Sequence, residues 1–203
     1  MAALKPEELP EFLRRLEDYQ GHRLTYLGMR FVIYTFVRTS ELRLAEWKEF
    51  ELKSANPVWT IPAERMKMRR EHLVPLSKQA VQILQQVAEI SGGERLVFPS
   101  QNNPNKPMSE NTLLFAIYRM GYHSRATTHG FRSVASTILN ESEKWHPDAI
   151  ERQLAHVESN KVRAVYDRAE HLPERRRIKQ WWADYLDSLL QPADIIDLEK
   201  NSA

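Results

Sequence analysis

Residues 24–37 read LTYLGMRFVIYTFV, and this stretch decides the fold because it is apolar nearly all round. A helix at the surface shows a single apolar stripe, whereas a helix that is apolar on every side is buried among other elements. The stretch therefore predicts a central core helix. It ends at Arg38-Thr-Ser-Glu41, where the chain becomes polar.

The segments on either side of the core helix have different periodicities. Before it, residues 6–20 predict an amphipathic helix that ends at Gly21. After it, short β-prone runs at residues 50–52, 58–61 and 73–76 are separated by proline-containing breaks and predict three antiparallel strands. The last two strands are joined by a basic loop, residues 63–71, whose central methionines we expect to lie outside the core.

The rest of the chain is predicted to be helical. Ser77, Ser109 and Thr128 are expected to cap helices over about 77–90, 109–120 and 128–140, with a polar loop at residues 100–107. Short helices are expected at 147–154 and 160–168. A final helix from Pro173 carries these apolar residues at helical spacing: Ile178, Trp181, Trp182, Tyr185, Leu186 and Leu189.

Length and composition restrict the class of protein. The chain has 203 residues, of which 42% are hydrophobic, as expected for one domain with its own core. It has no cysteine, which excludes disulfides and thiolate metal sites and favours a reducing, cytoplasmic setting. No apolar run is long enough to span a bilayer, so we expect a soluble protein. The formal net charge is +2, but arginines and lysines cluster at residues 65–70 and 175–179, either as solvated faces or to attract phosphates.

Several residues suit phosphodiester chemistry. Transfer without a metal needs a nucleophile, fixed positive charge on the non-bridging oxygens and an acid for the leaving oxygen. Arg38 and Arg132 suit the charge role because a guanidinium binds phosphate through paired hydrogen bonds and stays protonated. Lys67, in the basic loop, suits the acid role.

Each of these residues also has a structural interpretation when taken alone. Arg38 could compensate the dipole at the end of the core helix. Tyr166 has the helical spacing of a packed core tyrosine, His129 could lie at the surface, and His156 could be a buried structural histidine.

The order and spacing of these residues resemble the tyrosine recombinases, in particular the integrases of prophages and satellite phages. His156 follows Arg132 by 24 residues and Tyr166 follows His156 by 10, as the resemblance requires. The chain departs from the family pattern at Thr39-Ser40 and at Ala155, where glycine is usual, and at Arg69-Arg70, which make the loop unusually basic. The motifs that carry the likeness are Val37-Arg38-Thr39-Ser40-Glu41-Leu42-Arg43, Trp59-Thr-Ile-Pro-Ala-Glu-Arg-Met-Lys67, His72-Leu-Val-Pro-Leu76, Thr128-His129-Gly-Phe-Arg132 and Leu154-Ala155-His156.

The resemblance implies a role for each site residue. Tyr166 would attack the scissile phosphate to form a 3′-phosphotyrosine, and His129 would accept its proton. Lys67 would protonate the 5′ leaving oxygen, and His156 would bind or position the phosphate. The remaining implied roles are phosphate binding by Arg38 and Arg132, support by Glu41, and DNA binding by Arg65, Arg69 and Arg70.

The resemblance also implies a fold and partners. The expected fold is a mainly α-helical α+β catalytic domain with a small three-stranded antiparallel sheet, over residues 1–203. The family's N-terminal arm-binding and core-binding domains are missing from this sequence, which we therefore expect to be a fragment. The expected partners are double-stranded DNA at attachment sites, further protomers in a homotetramer on DNA, and an accessory DNA-bending protein, with the isolated domain a monomer. Neither ATP nor a metal ion is implied.

Two other classes remain open. A type IB topoisomerase uses a similar set of residues to relax supercoils, and a decayed prophage remnant would bind DNA without cutting it. A metal-dependent nuclease is disfavoured because no cluster of Asp, Glu and His has ligand spacing.

Overall fold

The computed structural model describes residues 2–66, 69–155 and 171–191. Within them the fold is mainly helical with two small antiparallel sheets. The helices are α1 (Leu9–Glu17), α2 (Arg23–Thr35), α3 (Thr39–Arg43), α4 (Lys78–Ser91), α5 (Thr112–Ile117), α6 (Gly130–Glu141), α7 (Pro147–Gln153) and α8 (Leu172–Ser188). The strands are β1 (Phe50–Glu51), β2 (Val58–Ile61), β3 (His72–Pro75), β4 (Pro99–Ser100) and β5 (Asn103–Pro107).

Helix α2 is the centre of the core, as its sequence predicts. Its apolar side chains are buried around the whole helix and it contacts α4, α5, α6 and α8. The helix ends two residues earlier than predicted, because Phe36 adopts a left-handed conformation (φ 41°) and closes the helix with a hydrogen bond to the Val32 carbonyl. The chain then turns directly into α3, a five-residue helix that was not predicted from the sequence.

The predicted three-stranded sheet is confirmed. Its strand order is β1-β2-β3, and His72 pairs with Ile61 at the end nearest the connecting loop. Two expectations about loops were wrong. Met66 is buried against the core, and residues 103–107 of the expected loop form β5, which pairs with β4 in a second sheet.

One of the three predicted helix caps is confirmed. The Ser77 hydroxyl accepts a hydrogen bond from the Ala80 amide. Ser109 is not a cap, since α5 begins only at Thr112. Thr128 is not one either: the Thr127 hydroxyl accepts from the Gly130 amide at the start of α6, while the Thr128 hydroxyl is bonded to Thr39.

Helix α8 packs on the chain's own core. The Trp182 indole is buried, donates a hydrogen bond to the Ile33 carbonyl at 2.9 Å and contacts the Phe36 ring edge-on. The helix predicted at residues 160–168 lies outside the described residues. In the part of the chain that the structure describes, no helix combines the length and the apolar character needed to span a membrane.

Candidate functional site

Arg38 lies at the junction of α2 and α3, where the left-handed turn at Phe36 redirects the chain. Its guanidinium forms an ion pair with Glu41 at 2.6 Å, and its backbone amide donates to the other carboxylate oxygen at 2.7 Å. A second guanidinium nitrogen donates to the Ala155 carbonyl at 3.2 Å. Glu41 is buried, whereas the Arg38 side chain is 32% exposed, so Glu41 orients a cation that solvent can still reach.

Arg132 projects from the first turn of α6 and is buried. One terminal nitrogen donates to the Phe36 carbonyl and the other to the Leu154 carbonyl. Within the described residues its Nε is buried without a hydrogen-bond partner. The two carbonyl bonds use two of the five N–H donors of a guanidinium, so donors remain for an anion.

The two arginines converge because the carbonyls that hold them are consecutive. Leu154 accepts from Arg132 and Ala155 accepts from Arg38. Burial, with a further contribution from the nearby Arg38 charge, lowers the pKa of Arg132 to about 10. The two guanidinium groups lie side by side, and most of their hydrogen bonds go to neutral carbonyls. Such a pair of cations is suited to binding an anion.

His72, at the start of β3, is a further member of this cluster. Its side chain is buried, and the burial together with the charges of Arg175, Arg132, Arg152 and Arg38 lowers its pKa to about 3. His72 is therefore a neutral imidazole near neutral pH, surrounded by arginines. His72 was not predicted as a site residue, although it stands in the His72–Leu76 motif. The available signal was a histidine that opens a strand beside the basic loop.

Arg175 of α8 was also missed, because its sequence neighbourhood is a run of charges typical of a solvated face. The side chain is fully buried, donates from Nε to Gln153 at 3.0 Å and bonds the Leu73 carbonyl of β3. One turn further along, buried Lys179 donates to the Tyr34 carbonyl at 3.0 Å. Burial and the charges of Arg175 and Arg132 lower the Lys179 pKa well below its usual value.

The other predicted site residues in the described part of the chain are not part of this arginine cluster. His129 is exposed at the N-cap of α6, and the adjacent Thr128 joins α6 to the start of α3 through a 2.8 Å bond with Thr39. Arg65 is held by Glu49 and the Leu44 carbonyl, and its side chain is 17% exposed.

Arg69 and Arg70 are exposed in the basic loop. Lys67, His156 and Tyr166 lie outside the described residues, so their predicted roles stay predictions.

Solved structures with the same architecture define the class of fold. The chain matches the XerH site-specific recombinase bound to its difH substrate with a TM-score of 0.61 and 16% identity, over 82% of this chain and 53% of that one. It matches an integrase from mycobacterium phage Brujita with a TM-score of 0.63 and 14% identity, over 95% of this chain and 64% of that one. The fold is therefore that of the catalytic domain of a tyrosine recombinase.

The chain belongs to the phage integrase family, whose model matches residues 2–171. It is 47% identical over 200 residues to the integrase of Enterobacteria phage P4, covering 91% of this chain and 45% of that protein. It is 43% identical over 200 residues to the putative protein IntB of Escherichia coli strain K12, covering 91% of this chain and 50% of that protein. The chain thus spans about half the length of the curated relatives it matches.

Proposed function

We propose that this chain is the catalytic part of a site-specific DNA recombinase that integrates a mobile element by cutting and rejoining DNA through Tyr166. The observation that carries the proposal is the convergence of Arg38 and Arg132 on consecutive carbonyls, with donors of Arg132 left for an anion. Relatives named as integrases and a recombinase of the same fold bound to its DNA substrate support it.

The proposed reaction divides the work among the chain's own residues. The Tyr166 hydroxyl attacks the scissile phosphorus, His129 accepts the hydroxyl proton, and the 5′ oxygen leaves with a proton from Lys67. Arg38 and Arg132 stabilise the negative non-bridging oxygens, with His156 as a further hydrogen-bond donor. The 5′-hydroxyl of a second strand then attacks the phosphotyrosine and releases the enzyme, so the bond energy is retained and no ATP is consumed.

Partners follow from this reaction. Two DNA duplexes that exchange both strands undergo four cleavages, one for each tyrosine, so we propose that four protomers act together on double-stranded attachment sites. Such DNA lies in the bacterial cytoplasm, on the chromosome. Supercoil relaxation, the topoisomerase alternative, has no comparable support among the relatives.

A trapping assay tests the proposal. The chain is incubated with a nicked duplex from the end of its element, so that the short strand beyond the cleaved phosphate diffuses away, and denaturing electrophoresis detects the covalent adduct. We expect an adduct with the wild-type chain and none with Tyr166→Phe. Strand exchange between two duplexes, measured with a labelled second duplex, separates recombination from relaxation. An adduct that persists in Tyr166→Phe would contradict the proposal.

A further inference from the structure

Helix α8 buries two basic side chains on one face. Arg175 and Lys179 are one helical turn apart and are 0% and 1% exposed. Arginine and lysine are almost never fully buried unless specific contacts hold them. The family match ends at residue 171, directly before α8. The two buried basic residues of α8 therefore lie outside the matched region, and their burial calls for a physical explanation.

Arg175 holds the segment that carries one acceptor of Arg132. Its Nε donates to the Gln153 side chain at 3.0 Å, and the next residue, Leu154, provides the carbonyl that accepts from Arg132. Another nitrogen of Arg175 bonds the Leu73 carbonyl of β3, next to His72. A single planar guanidinium therefore connects the end of α7 to the strand that follows the basic loop.

Lys179 holds the segment that carries the other acceptor. Its Nζ donates to the Tyr34 carbonyl at 3.0 Å and lies 3.5 Å from the centre of the Phe36 ring. The Phe36 carbonyl is the second acceptor of Arg132. The left-handed turn that aims this carbonyl at Arg132 is thus held in place by the Lys179 amine.

An apolar side chain would fill the same space with less desolvation. Burial and two neighbouring arginines disfavour the charged form of Lys179. Replacing buried charges with apolar groups of similar volume is often neutral or stabilising, so packing alone does not explain two basic residues here. Their hydrogen bonds to the segments beside Arg132 do.

We propose that Arg175 and Lys179 are positioning residues, which fix the two backbone segments whose carbonyls hold Arg132 and so preset that guanidinium for a phosphate. This inference rests on the proposed phosphate-binding role of Arg132. It makes α8 part of the active site's support in the same chain, although α8 itself need not touch DNA.

The affinity for phosphate depends on the position of Arg132 and can be measured without any chemical step. Inorganic phosphate is titrated into the full chain and its Kd is measured by calorimetry, with circular dichroism to confirm that each variant is folded. We expect Arg175→Met to weaken phosphate binding about 10-fold and Lys179→Met several-fold. Arg177→Met, which removes an exposed cation from the same helix, is the matched control and is expected to change the Kd less than 2-fold.

Arg175→Lys separates positioning from simple attraction of the anion. A lysine keeps the charge but lacks the planar fork that reaches Gln153 and Leu73 together. Positioning predicts that Arg175→Lys remains impaired, whereas an electrostatic role alone predicts full recovery and would overturn the inference. If Arg175→Met does not fold, Arg175→Lys and Lys179→Met still decide the question.

The cleavage assay adds an independent measurement. In single turnover, positioning predicts a lower rate constant at saturating DNA for Arg175→Lys, with a much smaller change in the half-saturating DNA concentration because other phosphate contacts also hold the duplex. Wild-type affinity for phosphate in every folded α8 variant, or no phosphate binding by the wild-type chain, would overturn the inference. Failure of the proposed function is a different result, since it appears as an adduct that does not depend on Tyr166.

Discussion

Two arginine-rich regions of this chain differ in what their cations contact. In the site around Arg132, the guanidinium is buried and bonds the neutral carbonyls of Phe36 and Leu154. In the basic loop, residues 63–71, Arg65 is bound to the buried carboxylate of Glu49. The first arrangement leaves positive charge for an incoming anion, whereas the second neutralises it within the fold.

The difference shows that low solvent exposure of an arginine does not by itself indicate its role. A cation paired with a buried carboxylate holds two segments together, and loss of one partner leaves the other charge without its counter-charge. A buried cation bonded to carbonyls keeps a net charge, and the charge of Arg132 is one of those that, together with burial, lower the pKa of His72. The acceptors therefore distinguish Arg132 from Arg65, whereas Arg38, which pairs with Glu41, contributes to the anion site through a side chain that is 32% exposed.

The largest expected effect is the contrast between Arg132→Met and Arg65→Met. Loss of Arg132 is expected to slow cleavage at least about 100-fold, because a preset donor to the reacting phosphate is removed. Loss of Arg65 is expected to leave the cleavage rate within a few-fold but to lower the free energy of unfolding by about 2–3 kcal/mol, because the buried Glu49 carboxylate loses its ion-pair partner and keeps only the weaker bond from the Trp59 indole. Single-turnover cleavage and urea unfolding measure the two effects.

One result would contradict the proposed difference between the two arginine-rich regions. If Arg132→Met destabilised the fold more than Arg65→Met while cleavage fell equally in both, the acceptors would not distinguish the two regions. Arg177→Met, at an exposed position of α8, provides the baseline for loss of one positive charge.

A smaller effect is expected on the pH dependence of stability through His72. Its pKa is about 3 in the folded chain and about 6.5 when unfolded, so below pH 6.5 the unfolded state binds a proton that the folded state does not. Stability should therefore fall as the pH drops from about 6.5 towards 3. Between pH 7.5 and 4.5 this histidine should account for about 2–3 kcal/mol of the loss of stability.

Urea unfolding of His72→Gln at the two pH values isolates this contribution from those of the carboxylates. The variant should lose less stability than the wild type over that interval. His123→Gln, which changes an exposed histidine, should behave as the wild type does. Equal pH dependence in all three proteins would show that His72 is not buried among the arginines as described.

Sequence patterns predicted those parts of the fold and site that depend on local order. The apolar run of α2, the three alternating strands and the boxes around Arg38 and Arg132 are all continuous in sequence. Strand β5 was missed because its segment is rich in Asn and Pro, which have low strand propensity. Its backbone pairing with β4 stabilises the strand despite that low propensity.

The members of the site that were missed depend on tertiary packing. Arg175 lies in a run of charged residues, and only the docking of α8 against β3 and α7 turns its side chain inward. His72 is polar within a short strand, β3, which packs against the same helix. Runs of charged residues are usually exposed to solvent. A helix face that buries charged residues is an exception, and only the packing in the structure identifies it.

A weaker effect is expected from the exposed part of the basic loop. Arg69→Ala combined with Arg70→Ala should reduce the slope of log affinity against log salt for duplex DNA by about 2, if each arginine neutralises one phosphate. Fluorescence anisotropy over a range of salt concentrations measures the slope. Cleavage at saturating DNA should change far less than in Arg132→Met, and a loss as large as that would place these arginines in the reaction itself.

The smallest expected effect concerns the backbone of the arginine site. Ala155 has a left-handed conformation (φ 48°) and its carbonyl accepts from Arg38, so a strained residue provides one contact of the site. A left-handed alanine costs about 1–2 kcal/mol, partly offset because glycine loses more freedom on folding. Ala155→Gly should therefore raise the free energy of unfolding by about 0.5–1 kcal/mol, whereas Ala88→Gly within α4 should lower it by about 1 kcal/mol. Destabilisation by both substitutions would mean that the turn after α7 is not strained, and that Arg38 gains its carbonyl contact without backbone cost.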